Sequence, residues 1–201
     1  MSGDCAGQAS SSDPFVRAFV AIEIGADVRA KLAAVLESLR ETQAHVGWVP
    51  APNIHLSLAF LGNVTREMVP LIGAALDEAV SAARPFAFDV SGLGQFGSRQ
   101  SPRVIWAGVR ECTDLMRLQE RVAAGLTALG LALEEREYHP HLTLGRVRSP
   151  RGREDLAHAM EVAGAVVFGR VAASEVVLMQ SRLMPAGARY SVLHRARCGL
   201  A

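Results

Sequence analysis

Two short segments of this chain repeat one pattern, and that repetition restricts the fold more than any other feature of the sequence. Residues 55–58 read His-Leu-Ser-Leu and residues 141–144 read His-Leu-Thr-Leu, in a chain with only six histidines. Alternation of polar and apolar residues with a period of two is typical of a strand buried on one face. Each segment therefore predicts a strand that buries its leucines and presents a histidine and a hydroxyl on the other face.

The segments around these two strands repeat a common order of secondary structure. In each half the sequence predicts a β-strand, an amphipathic helix with apolar residues at spacings of three and four, and then the histidine strand. We therefore predict an α+β, bilobal fold: two pseudo-symmetric antiparallel-sheet lobes with helices on the outside and an active-site groove between them. The predicted strands are 17–24, 53–62, 86–97, 103–110 and 139–147, and the helices are marked by Val28 to Leu39 and Leu115 to Leu129.

The remaining boundaries are predicted from turn residues and composition. A second helix is expected after Gly62, with Pro70 in its first turns, where a proline costs least. A shorter helix at 153–165 is expected to lead directly to the last two strands. Those strands are 174–184 and 188–197. We expect a flexible N-terminal tail over residues 1–13 and a single bilobal domain over residues 14–201.

Composition limits the partners that the chain is expected to bind. The formal net charge is +1, so no broad basic face is expected and any contact with nucleic acid should be local. The three cysteines, Cys5, Cys112 and Cys198, lack the spacing of a disulfide framework or a zinc site. The sequence contains no signal segment and no uncharged run of membrane-spanning length. We therefore expect a cytoplasmic, monomeric protein with no membrane partner.

Two histidines on opposite walls of a groove suit in-line displacement at phosphorus, because the attacking and leaving oxygens lie on opposite sides of that atom. A neutral imidazole can deprotonate the attacker while an imidazolium protonates the leaving oxygen, and an ordinary pKa of about 6.5 allows both forms near neutral pH. The hydroxyls of Ser57 and Thr143 can donate hydrogen bonds to the non-bridging phosphate oxygens. This chemistry requires neither a metal nor another cofactor, and we predict none.

Two other interpretations of the histidines are open at this level. A single histidine on a strand is usually a hydrogen-bonded core or surface residue, although packing alone seldom produces the same tetrapeptide twice. In the second interpretation His139, which shares a strand face with His141, forms a metal site with His55 as third ligand. No carboxylate or thiolate stands at ligand spacing nearby, which disfavours such a site.

The chain resembles a known family in five segments that contain these motifs. The segments are RAFVAIEI, WVPAPNIHLSLAFLG, SPRVIWAGV, YHPHLTLGR and LMQSRLMPAGARYSVL. They are similar to the 2H phosphoesterases, and within them to the LigT-like proteins called RNA 2′,3′-cyclic phosphodiesterases or 2′-5′ RNA ligases. The resemblance runs from about Arg17 to Leu193. It implies a bilobal fold, no metal cofactor, and opening of 2′,3′-cyclic phosphates on RNA ends or nucleotides to 2′-phosphates.

Carried over by position, the resemblance makes His55 the general acid and His141 the general base, with Ser57 and Thr143 as phosphate binders. Ser57 stands where the family more often has threonine; it keeps the hydroxyl and loses a methyl that restricts the rotamer. The alternative function is an RNA- or nucleotide-binding module of the same fold, whose histidines hold phosphate without turnover.

Arg146 matches a family arginine that contacts the substrate phosphate. Strict alternation would place Arg146 on the face opposite His141, so a twist or bulge at Gly145 is needed to bring it to the phosphate. A solvated arginine is the alternative. The same stretch of sequence contains a basic cluster that could meet an RNA backbone, although such charge runs are usually just solvated. The other members of that cluster are Arg148, Arg151 and Arg153.

Aromatic residues flank both motifs. We predict Tyr138 and Phe60 as substrate contacts, because aromatic rings can stack on a nucleic-acid base. Trp48 and Phe96 are similarly placed in the sequence. Core packing is the alternative role for these four rings.

The single lysine of the chain limits the kind of ligation that is chemically available. An ATP-dependent ligase of the nucleotidyl-lysine kind needs a lysine nucleophile, and a P-loop enzyme needs Gly-Lys before its helix. Lys31, in the segment VRAKLAAV, offers neither. Any 2′-5′ ligation is therefore expected to be an ATP-independent reversal of transesterification at the two histidines, with a cyclic phosphate as donor.

Overall fold

The computed structural model describes residues 13–98, 100–110, 112–185 and 187–199. Within these ranges the chain forms β-strands, four α-helices and a short 3₁₀ helix, Ala51–Asn53. The strands are β1 (Phe15–Glu23), β2 (Val46–Trp48), β3 (His55–Thr65), β4 (Phe86–Ser98), β5 (Ser101–Val109), β6 (His141–Val147), β7 (Val167–Ala173), β8 (Glu175–Met184) and β9 (Gly187–Arg197). The helices are α1 (Ala26–Glu41), α2 (Met68–Ser81), α3 (Thr113–Ala128) and α4 (Arg153–Val162).

The described strands belong to one antiparallel sheet that consists of two similar halves. The strand order is β7-β4-β5-β6-β3-β1-β8-β9, and β2 pairs in addition with β6. The halves meet at a seam between β3 and β6, where the described chain pairs at one position, Leu56 opposite Leu142; we call these residues the seam leucines. The order β1, α1, β3 in one half matches β5, α3, β6 in the other. The predicted α+β fold with two pseudo-symmetric antiparallel halves is confirmed.

The helices pack on one face of the sheet and connect the two halves. Helix α1 follows β1 in the chain but packs against β7 and α4. Helix α3 follows β5 but packs against β3 and α2 as well as β4. Each of these helices therefore contacts the half to which its preceding strand does not belong. One cluster of buried apolar residues contains both seam leucines together with leucines of α1 and α3.

The end of β3 differs from the sequence-based prediction. The strand does not end at Gly62 but continues to Thr65, because Gly62 adopts a left-handed φ of 65° and the pairing with β1 shifts beside it. The following helix therefore begins at Met68. Pro70 lies in its first turn, where the missing N–H would have no partner within the helix.

Two strands are not predicted by the sequence. The expected direct passage from the short helix to the last two strands is wrong, because β7 lies between them; Gly169 interrupts its alternating pattern. Strand β2 has only three residues, too few for a recognisable period. The predicted tail at 1–13 lies outside the described residues except for Asp13, which is exposed. In the described ranges, no helix has the length and apolar character needed to cross a bilayer.

Leu56→Ala and Leu142→Ala should each lower the free energy of unfolding by about 2–5 kcal/mol, because each leaves a cavity at a fully buried position. As direct cross-strand partners, the two substitutions should be non-additive by about 0.5–3 kcal/mol in a double-mutant cycle measured by urea unfolding.

Leu178→Ala is the matched control for this cycle. Leu178 is equally buried, but it lies on β8, and two strands separate β8 from β6. Three strand spacings correspond to roughly 14 Å, so the effects of Leu178→Ala and Leu142→Ala should add within about 0.5 kcal/mol. Simple additivity for the two seam leucines would contradict their mutual packing.

Candidate active site

The pairing of the seam leucines brings the two histidine motifs together. In that antiparallel register Thr143 is the cross-strand neighbour of His55. By the same register His141 is the neighbour of Ser57. All four side chains are half-buried and lie on the sheet face opposite to the helices, which we call the groove face. Opposite Cβ atoms in such a pair are about 4.5–5.5 Å apart and diagonal ones about 7–8 Å, a spacing compatible with contact to one bound phosphate.

Each histidine is oriented by a hydrogen bond to the carbonyl group two residues before it. His55 Nδ1 lies 2.8 Å from the Asn53 carbonyl oxygen, and His141 Nδ1 lies 2.7 Å from the His139 carbonyl oxygen. A carbonyl oxygen can only accept, so Nδ1 is the donor in both rings. In the neutral imidazole, Nε2 is then the unprotonated nitrogen. Both rings therefore present Nε2 for proton transfer.

A β-bulge follows each motif at the same place. In β3 the pairing with β1 shifts just after Ser57, and in β6 the pairing with β5 shifts just after Thr143. Two consecutive buried residues in each bulge break the period of two. The next residues, Phe60 and Arg146, are exposed. The bulge that Arg146 needs to reach the side of the histidines is therefore present, and its counterpart positions Phe60.

The surroundings of Gly145 explain why the second bulge contains a glycine. A Cβ at this position would lie 2.6 Å from Val46 and 2.7 Å from Trp48, both on the neighbouring β2. Trp48, one of the flanking aromatic residues, thus packs against the backbone of β6 and against the core. The close approach of β2 leaves room only for glycine at the bulge.

Aromatic rings pack against both imidazoles. Phe19 stacks on His55 with ring centroids 4.7 Å apart, and Tyr190 meets His55 edge-on at 5.4 Å. Phe96 meets His141 edge-on at 4.8 Å. The ring of Phe19 also lies 6.3 Å from that of Phe60. These contacts restrict the orientation of both imidazoles and exclude water from their sides.

Burial lowers the pKa of both histidines below the ordinary value of 6.5, but the charges around them differ. Their backbone hydrogen bonds act in the opposite direction. Glu23 stands opposite His55 in the β1–β3 register and acts to raise the pKa of His55. Arg146 and His139 act to lower the pKa of His141. The neighbouring charges therefore favour the imidazolium form at His55 and the neutral form at His141.

A cavity of about 290 Å³ adjoins His55. It provides space for part of a ligand beside His55. At the equivalent place in β6, strand β2 packs against the bulge at Gly145. The polar and aromatic side chains that line it include Glu23, Arg29, Asn53, His55 and Tyr190.

Tyr138 connects the approach to β6 with the first histidine strand. Its hydroxyl donates a 3.0 Å hydrogen bond to the Ser57 carbonyl oxygen, and its ring packs against the core. Burial raises the pKa of this phenol. The contact holds the two strands together beside the histidines, and a direct contact between Tyr138 and a substrate stays a prediction.

The alternative of a three-histidine metal site has no counterpart in the described part of the chain, where no group of three or more His, Cys, Asp or Glu side chains is placed to hold a metal ion. His139 precedes β6, is mostly exposed, and lies 3.7 Å from the Glu137 carboxylate. Of the cysteines, Cys112 and Cys198 are free thiols, and Cys5 lies outside the described residues.

Three residues beside His55 are missing from the sequence-based site: Phe19, Glu23 and Tyr190. The first two alternate in RAFVAIEI with the core residues Val20 and Ile22, so the period of two in β1 could have identified them. Tyr190 reaches His55 from β9 through the pairing of β8 with β1, which no local pattern indicates.

Comparison with known proteins agrees with the motifs. A family model described as the 2′-5′ RNA ligase superfamily matches residues 28–183. An RNA 2′,3′-cyclic phosphodiesterase of Methanothermobacter thermautotrophicus is 32% identical over 176 residues, 88% of this chain and 95% of that protein. A protein of the same name from Archaeoglobus fulgidus is 33% identical over 178 residues, 89% of this chain and 98% of that protein.

Solved structures share the fold. A protein from Thermus thermophilus superimposes with a TM-score of 0.76 at 28% identity, covering 92% of this chain and 100% of that one. Escherichia coli LigT, solved with 3′-AMP, gives a TM-score of 0.73 at 24% identity, covering 92% of this chain and 99% of that one. Since the family model spans most of the sequence and the relatives are matched over nearly their whole length, the chain belongs to the 2′-5′ RNA ligase superfamily.

Proposed function

We propose that this protein is a metal-independent RNA 2′,3′-cyclic phosphodiesterase, which hydrolyses cyclic phosphate ends to 2′-phosphomonoesters by acid-base catalysis with His55 and His141. The observation that carries the proposal is the pair of imidazoles on one face of the seam, each with Nδ1 bonded to a backbone carbonyl and Nε2 left for proton transfer. Relatives named for this activity support the substrate class.

In the proposed reaction a water molecule attacks the phosphorus of the cyclic phosphate. Neutral His141 accepts the proton of the water at Nε2 while the new P–O bond forms. The P–O bond to the ribose 3′ oxygen breaks, and His55 donates its Nε2 proton to that oxygen. The products are a 2′-phosphomonoester and a 3′-hydroxyl, and exchange with solvent restores both histidines.

The charges near the two histidines support this division of roles. A general acid must be protonated at the start of the reaction, and Glu23 favours that form at His55. A general base must be neutral, and the positive charge of Arg146 favours that form at His141. The duplicated motif is symmetric, but its electrostatic environment is not.

Hydrogen-bond donors on the groove face can stabilise the negative charge on the phosphate. The hydroxyls of Ser57 and Thr143 lie on the same face as the histidines and can donate to the non-bridging oxygens, which gain charge in the transition state. Arg146 acts electrostatically on His141 and is exposed, so its guanidinium can approach the phosphate. Ligation would use the same groups, with an RNA 5′-hydroxyl in place of water and no ATP.

His55→Ala and His141→Ala should each reduce the single-turnover rate on an RNA with a 2′,3′-cyclic phosphate end by about 10²- to 10⁴-fold. The double variant should be only modestly slower, because an acid and a base that act in one displacement work as a unit. Ser57→Ala and Thr143→Ala should cost less, since each removes one hydrogen bond and leaves proton transfer intact.

His158→Ala is the matched control for the histidine variants, because His158 is exposed on α4, away from the seam. Its rate should equal that of the wild type. Near-normal turnover by His55→Ala or His141→Ala would reduce that histidine to a phosphate-binding role and would overturn the two-histidine mechanism.

Turnover should persist in EDTA, and kcat/KM should follow a bell-shaped pH profile. The rate rises with pH as His141 loses its proton and falls with pH as His55 loses its proton. Because burial lowers both pKa values in the free enzyme, the maximum should lie below about pH 6.5. Loss of activity in EDTA that a divalent ion restores would overturn the metal-free mechanism.

The acid can be identified with a cyclic substrate that has sulfur in place of the 3′-bridging oxygen. A thiolate is a far weaker base than an alkoxide and leaves without a proton. This substrate should therefore restore much of the rate of His55→Ala but not that of His141→Ala. In addition, Glu23→Gln should move the alkaline limb of the pH profile to lower pH, because it removes a charge that raises the pKa of His55. Rescue of His141→Ala instead would reverse the roles.

A further inference from the structure

A second and larger cleft lies in the half of the sheet that contains β1. Its volume is about 670 Å³, and it is bounded by the start of β1, the end of β3 and the β8–β9 hairpin. Phe15 and Arg17 alternate along β1 with the buried Val16, so they share the groove face with Phe19. We call it the arginine cleft; its basic and large apolar lining residues are Phe15, Arg17, Arg66, Arg182, Leu183 and Met184.

The arginine cleft is positively charged. Among the described residues its one acidic lining residue is Asp13, whose carboxylate accepts a hydrogen bond from the Phe15 backbone N–H. Arg66 bonds the backbone carbonyl of Asp13, not its carboxylate. In the described residues Arg17 and Arg182 have no acidic partner, and Arg182 stands opposite Arg189 across the hairpin. In a chain with a formal net charge of only +1, this local excess of positive charge favours an anionic ligand.

Exposed apolar side chains surround these arginines. Phe15 is 50% exposed, Leu183 71% and Met184 51%, which places three of the large exposed hydrophobic residues at one cleft. A phosphate-binding cation beside an exposed aromatic ring is the arrangement that single-stranded nucleic acids require, since guanidinium groups bind phosphates and rings stack on bases. Inorganic phosphate alone would not use the apolar surface.

The cleft and the candidate active site lie along the same strand, β1. Arg17 is four residues from Ala21, and Ala21 pairs with Ser57. The cleft therefore begins about 13 Å along β1 from the position opposite Ser57. Burial raises the pKa of Tyr190, and the charges of Arg146 and Arg17 both oppose that rise. Tyr190 is therefore affected by an arginine beside His141 and by an arginine of the cleft. The ring of Tyr190 also contacts His55.

The direction of the cleft matches the orientation that the proposed reaction gives to the substrate. If His55 protonates the ribose 3′ oxygen, the terminal ribose lies on the His55 side of the phosphate. The preceding nucleotides are attached to that ribose through its 5′ oxygen. They can therefore leave the site over the half that contains β1, where the arginine cleft lies.

Resting on the proposed function, we propose that the arginine cleft binds the nucleotides that precede the cyclic phosphate end of a single-stranded RNA. The enzyme then selects oligonucleotides over mononucleotides, because a nucleoside 2′,3′-cyclic phosphate occupies only the histidine site. The phosphates of the RNA backbone pair with the cleft arginines, and one base stacks on Phe15.

The test compares kcat/KM for a nucleoside 2′,3′-cyclic phosphate with kcat/KM for a single-stranded RNA of about eight nucleotides that carries the same end, a length within the usual site size for single strands. Arg66→Gln and Arg182→Gln should each reduce the ratio of oligonucleotide to mononucleotide kcat/KM by about 3- to 10-fold, the loss expected from one solvent-exposed hydrogen bond in an open cleft. Each should also make the salt dependence of the oligonucleotide reaction less steep by about 0.7 in log-log slope.

Arg117→Gln is the matched control, because Arg117 is an exposed arginine on α3, on the helix-covered side of the sheet. The ratio of oligonucleotide to mononucleotide kcat/KM for Arg117→Gln should equal that of the wild type. A ratio for Arg66→Gln and Arg182→Gln that is the same as for Arg117→Gln would overturn the proposal.

Failure of the proposed function would be recognised separately. If the wild type hydrolyses neither substrate, the phosphodiesterase proposal is wrong, and fluorescence anisotropy with a labelled single-stranded RNA then tests the cleft alone. Weaker RNA binding by both cleft variants than by Arg117→Gln would still support an RNA-binding cleft. Equal binding by all three variants would refute it.

Discussion

The packing of Leu56 against Leu142 is the interaction on which the rest of the structure depends. Both residues are fully buried, and they join the two halves at the one described pairing of β3 with β6. Because side chains alternate along a strand, burial of these leucines beneath the helices places the adjacent histidines on the opposite face. A slip of one residue in either strand would bury a histidine and expose a leucine. The stability of the core therefore selects the register that assembles the polar groups.

The two halves are similar in backbone but differ in what they offer to a substrate. Equivalent bulges place Phe60 on one side and Arg146 on the other, an aromatic ring against a cation. Glu23 faces His55, whereas the charges near His141 are positive. A symmetric framework thus gives its two histidines different surroundings, as the proposed hydrolysis requires, because the oxygen of water attacks on one side and a ribose oxygen leaves on the other.

The sequence predicted those parts of the molecule that a local period determines. The two histidine strands follow directly from alternation, and the helices follow from their apolar spacing. The face on which Arg146 lies could not be predicted from alternation. A bulge moves a side chain to the other face of the sheet, and this bulge depends on the pairing of β6 with β5. Tyr190 reaches His55 only through strands distant in sequence, and β7 was hidden by Gly169. These features depend on pairing between strands distant in sequence, and such pairing leaves no local periodic signal.

The brief pairing of β3 with β6 has a mechanical consequence. One paired position is too short a ladder to fix the angle between two half-sheets, so the helices that contact the opposite half must hold that angle from behind. The separation of the two imidazoles is then set by the thickness of the apolar layer under the sheet. Repacking that layer with larger or smaller side chains would widen or narrow the gap between the two imidazoles. Under the proposed mechanism, buried side chains far from the substrate would then affect turnover as well as stability.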